Sequence, residues 1–460
     1  MLFHFLFIIL FFLVSWLRPK LALFLLLFLL PTYQLRFQVL GLPTTFLEVM
    51  ILTLFFVLLI KKQLNFSKIN KTWRILVLAW LLSGLVSVFV APDFMGALGH
   101  WRAYFFEPIL FLLIFVSLIK DKKDIQRVFH MLSFLVLIIS GWVIWQKIIG
   151  QGMASIEIWR YPLVSTIRPT GPFPQSNFLG LFLGPLVLLF VGQFVSFFKN
   201  KKLLLSIYYF LVSIFSMLAI ILAKSEGAIL GVLAGLIFFF IFYLKKRSRW
   251  IFVVVLLLIA IFLLFASPWQ KTIWQKITFQ DLSLQIRLNI WQGAWQMIAT
   301  HPFFGVGLRG YQQLVNQYQQ PFVLPGVAGI VSDELHPYPH NLFLALWAEL
   351  GILGLLVFLL IVIRFFYEGF HKIIFTPLDK NYLTGQALRT NSNVPNPTYY
   401  LLLTICSLMA AMVVILTHGL IDTPYFKNDL SILFWLIIGL LMIMEKNHRQ
   451  GGASNEQKVI

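Results

Sequence analysis

Residues 203–244 read LLLSIYYFLVSIFSMLAIILAKSEGAILGVLAGLIFFFIFYL. Two apolar runs, 203–223 and 226–244, meet at the corner Lys224-Ser225. Each is about the 20 residues that a helix needs to cross a hydrocarbon layer. In lipid every backbone N–H and C=O must be satisfied inside the segment, so both runs are predicted to be helices. A corner this short returns the chain to the same side of the membrane. Lys245, Lys246, Arg247 and Arg249 then close the second run.

The same alternation of apolar run and basic closure extends in both directions. Candidate spans are 21–40, 45–60, 73–91, 104–119, 128–148, 177–198, 203–223, 226–244, 250–267, 341–366, 399–417 and 429–445. The predicted fold class is therefore an all-α polytopic membrane protein with about 12 transmembrane helices. Residues 1–17 leave three readings open: a thirteenth span, an interfacial helix or a signal-like segment. They lack a basic start and an A-x-A-like cleavage site, so a cleaved leader is not expected. Charged residues make up 12 % and hydrophobic residues 60 % of the chain, which excludes a soluble enzyme and a disordered segment. The single cysteine, Cys406, excludes a disulfide framework and a thiolate zinc site.

The net charge of +19 would suggest nucleic acid in a soluble chain. Here the basic residues sit in short loops, so the charge orients the spans and no nucleic-acid partner is expected. With Arg18 and Lys20 placed in the cytoplasm, 25 of the 36 basic residues fall on that side. Five segments follow: N-terminal spans 1–148, central spans 149–267 with an outer loop 149–176, a long outer loop 268–339, C-terminal spans 340–445 and a cytoplasmic tail 446–460. Loop 268–339 is too long for a plain connection. Within it Ile286, Ile290, Ala294 and Met297 recur at spacings of 4, 4 and 3, predicting an amphipathic helix over 282–300. Segment 367–398 reads as a polar cytoplasmic linker.

No P-loop, G-x-G-x-x-G, H-E-x-x-H or G-x-S-x-G motif is present. Outer-face carboxylates are too scarce for a dedicated Mg²⁺ site, so no metal and no cofactor is expected. What remains is a set of cations and histidines at outer span ends. Lys224 lies at the corner with Ser225, Glu226 and Gly227, where a helix start offers N–H groups to a phosphate. It reads equally as a snorkelling lysine. Arg287 shares a helical face with Trp291 and Trp295, as a headgroup anchor or as a fork for a diphosphate. His340, after Pro339 and read as the first residue of a long helix, is a candidate proton acceptor, and Asn341 could orient a hydroxyl. Glu349 lies about 180° around that helix from His340, so it is not a simple partner. His418 and Asp422 read as a supporting polar pair.

These residues, taken in order, resemble the O-antigen ligase/polymerase superfamily. The resemblance rests on Lys224-Ser-Glu-Gly-Ala228, on Arg287 with Trp291, and on Pro339-His340-Asn341 followed by Leu344 and Glu349-x-Gly351. Arg168-Pro-Thr-Gly-Pro-Phe with Asn177 resembles a further family element. The chain departs at Glu226, where the family typically has an arginine; Lys224 then stands as the substitute cation. The resemblance implies a GT-C-like, inverting, metal-independent glycosyltransferase of the bacterial inner membrane, with its site facing the periplasm. The donor would be an undecaprenyl-diphosphate-linked glycan; the acceptor would be lipid A-core, a lipid-linked repeat or a protein hydroxyl. Arg287 and His340 would be catalytic. Lys224, Arg287 and Arg168 would bind the diphosphate. Glu226, Asn341, Glu349, His418 and Asp422 would support them. The reading from a different class is a transporter or flippase for an anionic or lipid-linked substrate.

Overall fold

The computed structural model describes all residues except 1, 40–41, 151–167, 245, 266–273, 276–277, 279–281, 320–321, 324–330, 333–337, 376–396 and 445–460. Most of loop 149–176, parts of loop 268–339, most of the linker 367–398 and the tail 446–460 thus lie outside the described residues.

The described chain is almost wholly helical. Helices α1 (Leu2–Leu17) and α2 (Pro19–Phe28) lead through a 3-10 turn (Leu30–Gln34) into the antiparallel hairpin β1 (Arg36–Val39) and β2 (Leu42–Thr45). Then follow α3 (Phe46–Ile60), α4 (Lys71–Val90), α5 (Phe94–Trp101), α6 (Glu107–Leu118) and α7 (Lys122–Ile148). Helices α8 (Ser176–Lys199), α9 (Leu203–Leu222), α10 (Glu226–Tyr243) and α11 (Lys246–Phe265) form the centre of the chain. The segment between α11 and α14 carries α12 (Leu282–Thr300), α13 (Gly310–Tyr318) and the two short strands β3 (Phe322–Val323) and β4 (Val331–Ser332). Helices α14 (Leu342–Phe375), α15 (Pro397–His418) and α16 (Asn428–Ile443) complete the chain.

Eight described helical segments are long and apolar enough to cross a membrane, and four further apolar helices are shorter. The run 21–40 is one departure from the expected spans. Its helix stops at Phe28 because Pro31 follows, and the chain turns into the hairpin instead of finishing a crossing. The expected span 104–119 starts earlier, since a π turn over Arg102–Phe106 joins α5 to α6 as one segment, Phe94–Leu118. Asp93, Asn70 and Asp121 cap α5, α4 and α7 by accepting N–H groups three residues on. Thr45 and Glu48 form a reciprocal capping box on α3.

Helices α8, α9, α10 and α15 pack against one another, α4 lies on α14, and α6 lies on α16. Buried Tyr425, in the turn before α16, accepts N–H groups from Trp80 at 3.0 Å and Trp435 at 3.1 Å and donates to the Tyr104 carbonyl at 2.8 Å. One hydroxyl thereby ties the hairpin 422–429 to α4, α16 and the π turn.

The amphipathic helix is present as α12. Its Ala294, Met297 and Ile298 are buried with Val306, Tyr311, Val315 and Ala348 in a small second core. That core fastens α12 and α13 to α14. The fastening is completed by a break in α14, where Gly351 has φ 70° and ψ −177°. The break frees carbonyls for two neighbours: Val306 N–H donates to Ala348 O at 2.7 Å, and Ser87 Oγ of α4 donates to Glu349 O at 2.7 Å. Ile352 N–H donates to Pro302 O at 2.9 Å. A Cβ on Gly351 would overlap the Phe303 carbonyl, so only glycine fits.

Candidate active site

His340 is not the first residue of the helix, as the sequence suggested. It precedes the cap, with φ 44° in the left-handed region. Asn341 is the capping residue: its Oδ1 accepts the Phe343 and Leu344 N–H groups at 2.9 and 3.0 Å. Asn341 Nδ2 donates to Leu420 O at 2.9 Å, and Leu342 N–H donates to Gly419 O at 2.7 Å. The expected hydroxyl-orienting amide is therefore engaged in holding the start of α14 against the end of α15. A histidine held in left-handed backbone costs on the order of 1 kcal/mol or more, which fits a placement required by a site.

The placement brings His340 Nδ1 to 3.5 Å from Asp422 Oδ1. The Asp422 carboxyl is buried, which by itself would raise its pKa. His340, His418 and the Thr423 N–H outweigh burial and hold it below the ordinary carboxylate range. A carboxylate facing Nδ1 selects the tautomer with the proton there and leaves Nε2 as an acceptor.

His418 and Asp422 do not share a helical turn, because α15 ends at His418 and a bend over 419–421 intervenes. Asp422 turns to His340 while staying within electrostatic range of His418. Arg287, on α12, lies within electrostatic range of His418. The corner 224–227 reaches the same place through Gly227: a Cβ there would overlap the His418 ring. Lys224 itself is exposed, with φ 52° in the turn between α9 and α10. Ser225 is buried against Gly180. Arg168 precedes a turn gripped by Gln146, whose Oε1 accepts the Thr170 and Gly171 N–H groups at 3.0 and 2.8 Å.

Glu349 is fully inside the protein and bonds to the backbone N–H of Arg309. Arg309 pairs loosely with Asp93 at 3.4 Å. The Glu349 carboxyl thus locks the glycine-rich turn 305–310 rather than joining an ion pair. Tyr311 and Tyr338 lie near it, and burial followed by the Glu349 charge raises both phenols above their ordinary range.

Lys427 escaped the sequence reading. It lies in the hairpin 422–429 over the Phe178 ring, its Nζ buried and without a hydrogen bond, within range of Asp429 and Asp422. Burial pushes its ammonium well below the ordinary lysine range. The available signal was one base between two acids in an otherwise apolar C-terminal region.

Three segments distant in sequence, from α12, α10 and the α14–α15 end contact, converge on two histidines, one carboxylate and one guanidinium. No curated protein matches the chain. A family model described as O-antigen ligase matches residues 211–359, which run from α9 into α14 and include Lys224, Arg287, His340 and Glu349. Over residues 211–359 the chain is therefore similar to the O-antigen ligase family, in agreement with the resemblance carried by the order of those residues.

Proposed function

We propose that this multi-pass membrane protein transfers a glycan from a polyprenyl-diphosphate donor to an acceptor hydroxyl on the outer face of the bacterial inner membrane. The observation that carries the reading is the contact between His340 and Asp422, with Arg287 in electrostatic range of His418; His340 and Arg287 lie within the region matched by the ligase family, and Asp422 reaches it from the segment after α15. The acceptor hydroxyl gives its proton to His340 Nε2 as its oxygen attacks the anomeric carbon. The bond from that carbon to the diphosphate oxygen breaks on the opposite face, and the configuration inverts. Asp422 stabilises the imidazolium that forms. Arg287 takes the charge growing on the leaving diphosphate, with Lys224 at the rim. Two fixed cations supply the stabilisation that a divalent ion would otherwise give, so the proposed reaction is metal-independent. The expected domain boundaries follow the same scheme, with 268–339 as the outer cover and α8, α9 and α10 as the wall for the lipid tail.

The transporter reading would use the break in α14 as part of a pathway. That break is filled by the backbone of residues 302–306, so it serves as a docking seam. The deciding experiment incubates the purified protein in detergent with a lipid-linked glycan and a hydroxyl acceptor. A new glycosidic bond with release of polyprenyl diphosphate supports transfer; donor movement across vesicles without any new bond supports transport.

A further inference from the structure

Asp124 and Gln146 lie 22 residues apart on α7, about 33 Å along the helix. Gln146 grips the Arg168 turn; the Asp124 end faces a separate cavity of about 660 Å³. The cavity is lined by Arg18, Lys20, Arg127 and His130 together with Pro19, Leu21, Phe24 and Met131. Cations and a hydrocarbon wall thus meet in one space at the basic end of the helices.

The charge balance leaves this space positive. Asp124 is buried, pairing with Lys20 at 2.5 Å and with Arg127 at 3.4 Å. It offsets one of three cations. Arg18, at the break between α1 and α2, is exposed and makes no side-chain cap. Arg127 keeps 58 % of its side chain accessible beside its pairing with Asp124, so a second anion can reach it. His130 is fixed through Nδ1 by Tyr209 Oη at 3.1 Å, which leaves Nε2 as the remaining polar atom of the ring. The cavity thus combines three basic side chains, only one of them offset by Asp124, with an apolar lining.

We infer that this cavity binds an anionic phospholipid, its phosphate between Arg18, Lys20 and Arg127 and its upper acyl chains over Leu21, Phe24 and Met131. A free phosphate would leave the apolar lining unused. A zwitterionic headgroup would need a second carboxylate, and Asp124 is already occupied by two cations. Basic pockets between helices on the cytoplasmic side recognise acidic headgroups on the same terms. The inference stands apart from the glycosyl-transfer reading, since no residue is shared.

The test is native mass spectrometry of the full chain in detergent with equimolar phosphatidylglycerol and phosphatidylethanolamine. The wild type should retain phosphatidylglycerol about tenfold more than phosphatidylethanolamine, and R18Q with R127Q should bring that ratio close to one. Met131→Trp, which fills the cavity and leaves every charge in place, should reduce retention of both lipids. Inorganic phosphate at the same concentration should not displace phosphatidylglycerol. Equal retention of both lipids by the wild type would overturn the inference. So would an unchanged preference in R18Q/R127Q, full retention by Met131→Trp, or displacement by phosphate.

Discussion

Asp422→Asn keeps the size of a buried side chain and removes its charge. In the wild type the carboxylate lies 3.5 Å from His340 Nδ1, with Asp422 5 % and His340 27 % accessible. A unit charge pair at that separation is worth about 5 kcal/mol at an effective dielectric constant of about 20. Solvent at His340 screens part of this, leaving about 2–3 kcal/mol that appears only as the imidazolium forms. Turnover should therefore fall roughly 30- to 150-fold, at 1.36 kcal/mol per factor of ten. The donor KM should stay within about twofold, because the diphosphate is held from α12 and the 224–227 corner. The assay is initial-rate transfer with donor and acceptor varied separately, on protein whose melting temperature is checked in detergent. His340→Ala should cost about 10²–10⁴, and adding Asp422→Asn to it should cost little more, since one residue acts through the other. A turnover within twofold of wild type, or strictly additive losses, would refute the dyad.

Arg287→Ala should nearly abolish transfer, and Arg287→Lys should recover it only in part because an ammonium lacks the planar fork; full activity in Arg287→Lys would reduce the residue to a headgroup anchor. Gly351→Ala should lower stability by about 2 kcal/mol or more, from the φ of 70° and the overlap with Phe303, read as a fall in melting temperature; an unchanged value would contradict the seam. The stabilising contribution of Asp422, whose folded pKa is depressed, is complete above its unfolded value of about 3.9 and is lost only as pH falls through the lower folded value. The stability difference between wild type and Asp422→Asn should thus shrink as the pH falls below about 4 by thermal denaturation; an unchanged difference there would place the titration elsewhere. Reporter fusions should put 268–339 outside and 367–398 in the cytoplasm, and an impermeant thiol reagent that reached a cysteine at 385 from outside would overturn the orientation.

Hydrophobic run length made the membrane class legible, and the 4-4-3 spacing of Ile286, Ile290, Ala294 and Met297 made α12 legible. These are local signals. The stop at Phe28 was hidden because 21–40 stays apolar through the hairpin, and mean hydropathy does not separate a strand from a span. Pro31 was the available sign. The break at Gly351 was hidden for a different reason: a lone glycine in an apolar helix carries no mark of a positive φ. Its cause is the loop 302–308, about 45 residues away in sequence. At the site, Arg287 and His340 could be singled out because charge is rare at outer span ends. Their grouping could not, since Asp422 meets His340 only after Asn341 and Leu342 are bonded to Gly419 and Leu420. Counting helical turns joined Asp422 to His418 and kept it from His340.

The most direct test of single displacement by a His340-activated hydroxyl is the anomeric configuration of the product. The donor should carry a defined α- or β-linked diphosphate, and the new linkage should be read by nuclear magnetic resonance in wild type and Asp422→Asn. The expected result is complete inversion in both proteins, at a reduced rate in the variant. Retention of configuration would require a covalent sugar intermediate on a side chain such as Asp422 or His340, and would contradict direct attack by the acceptor hydroxyl.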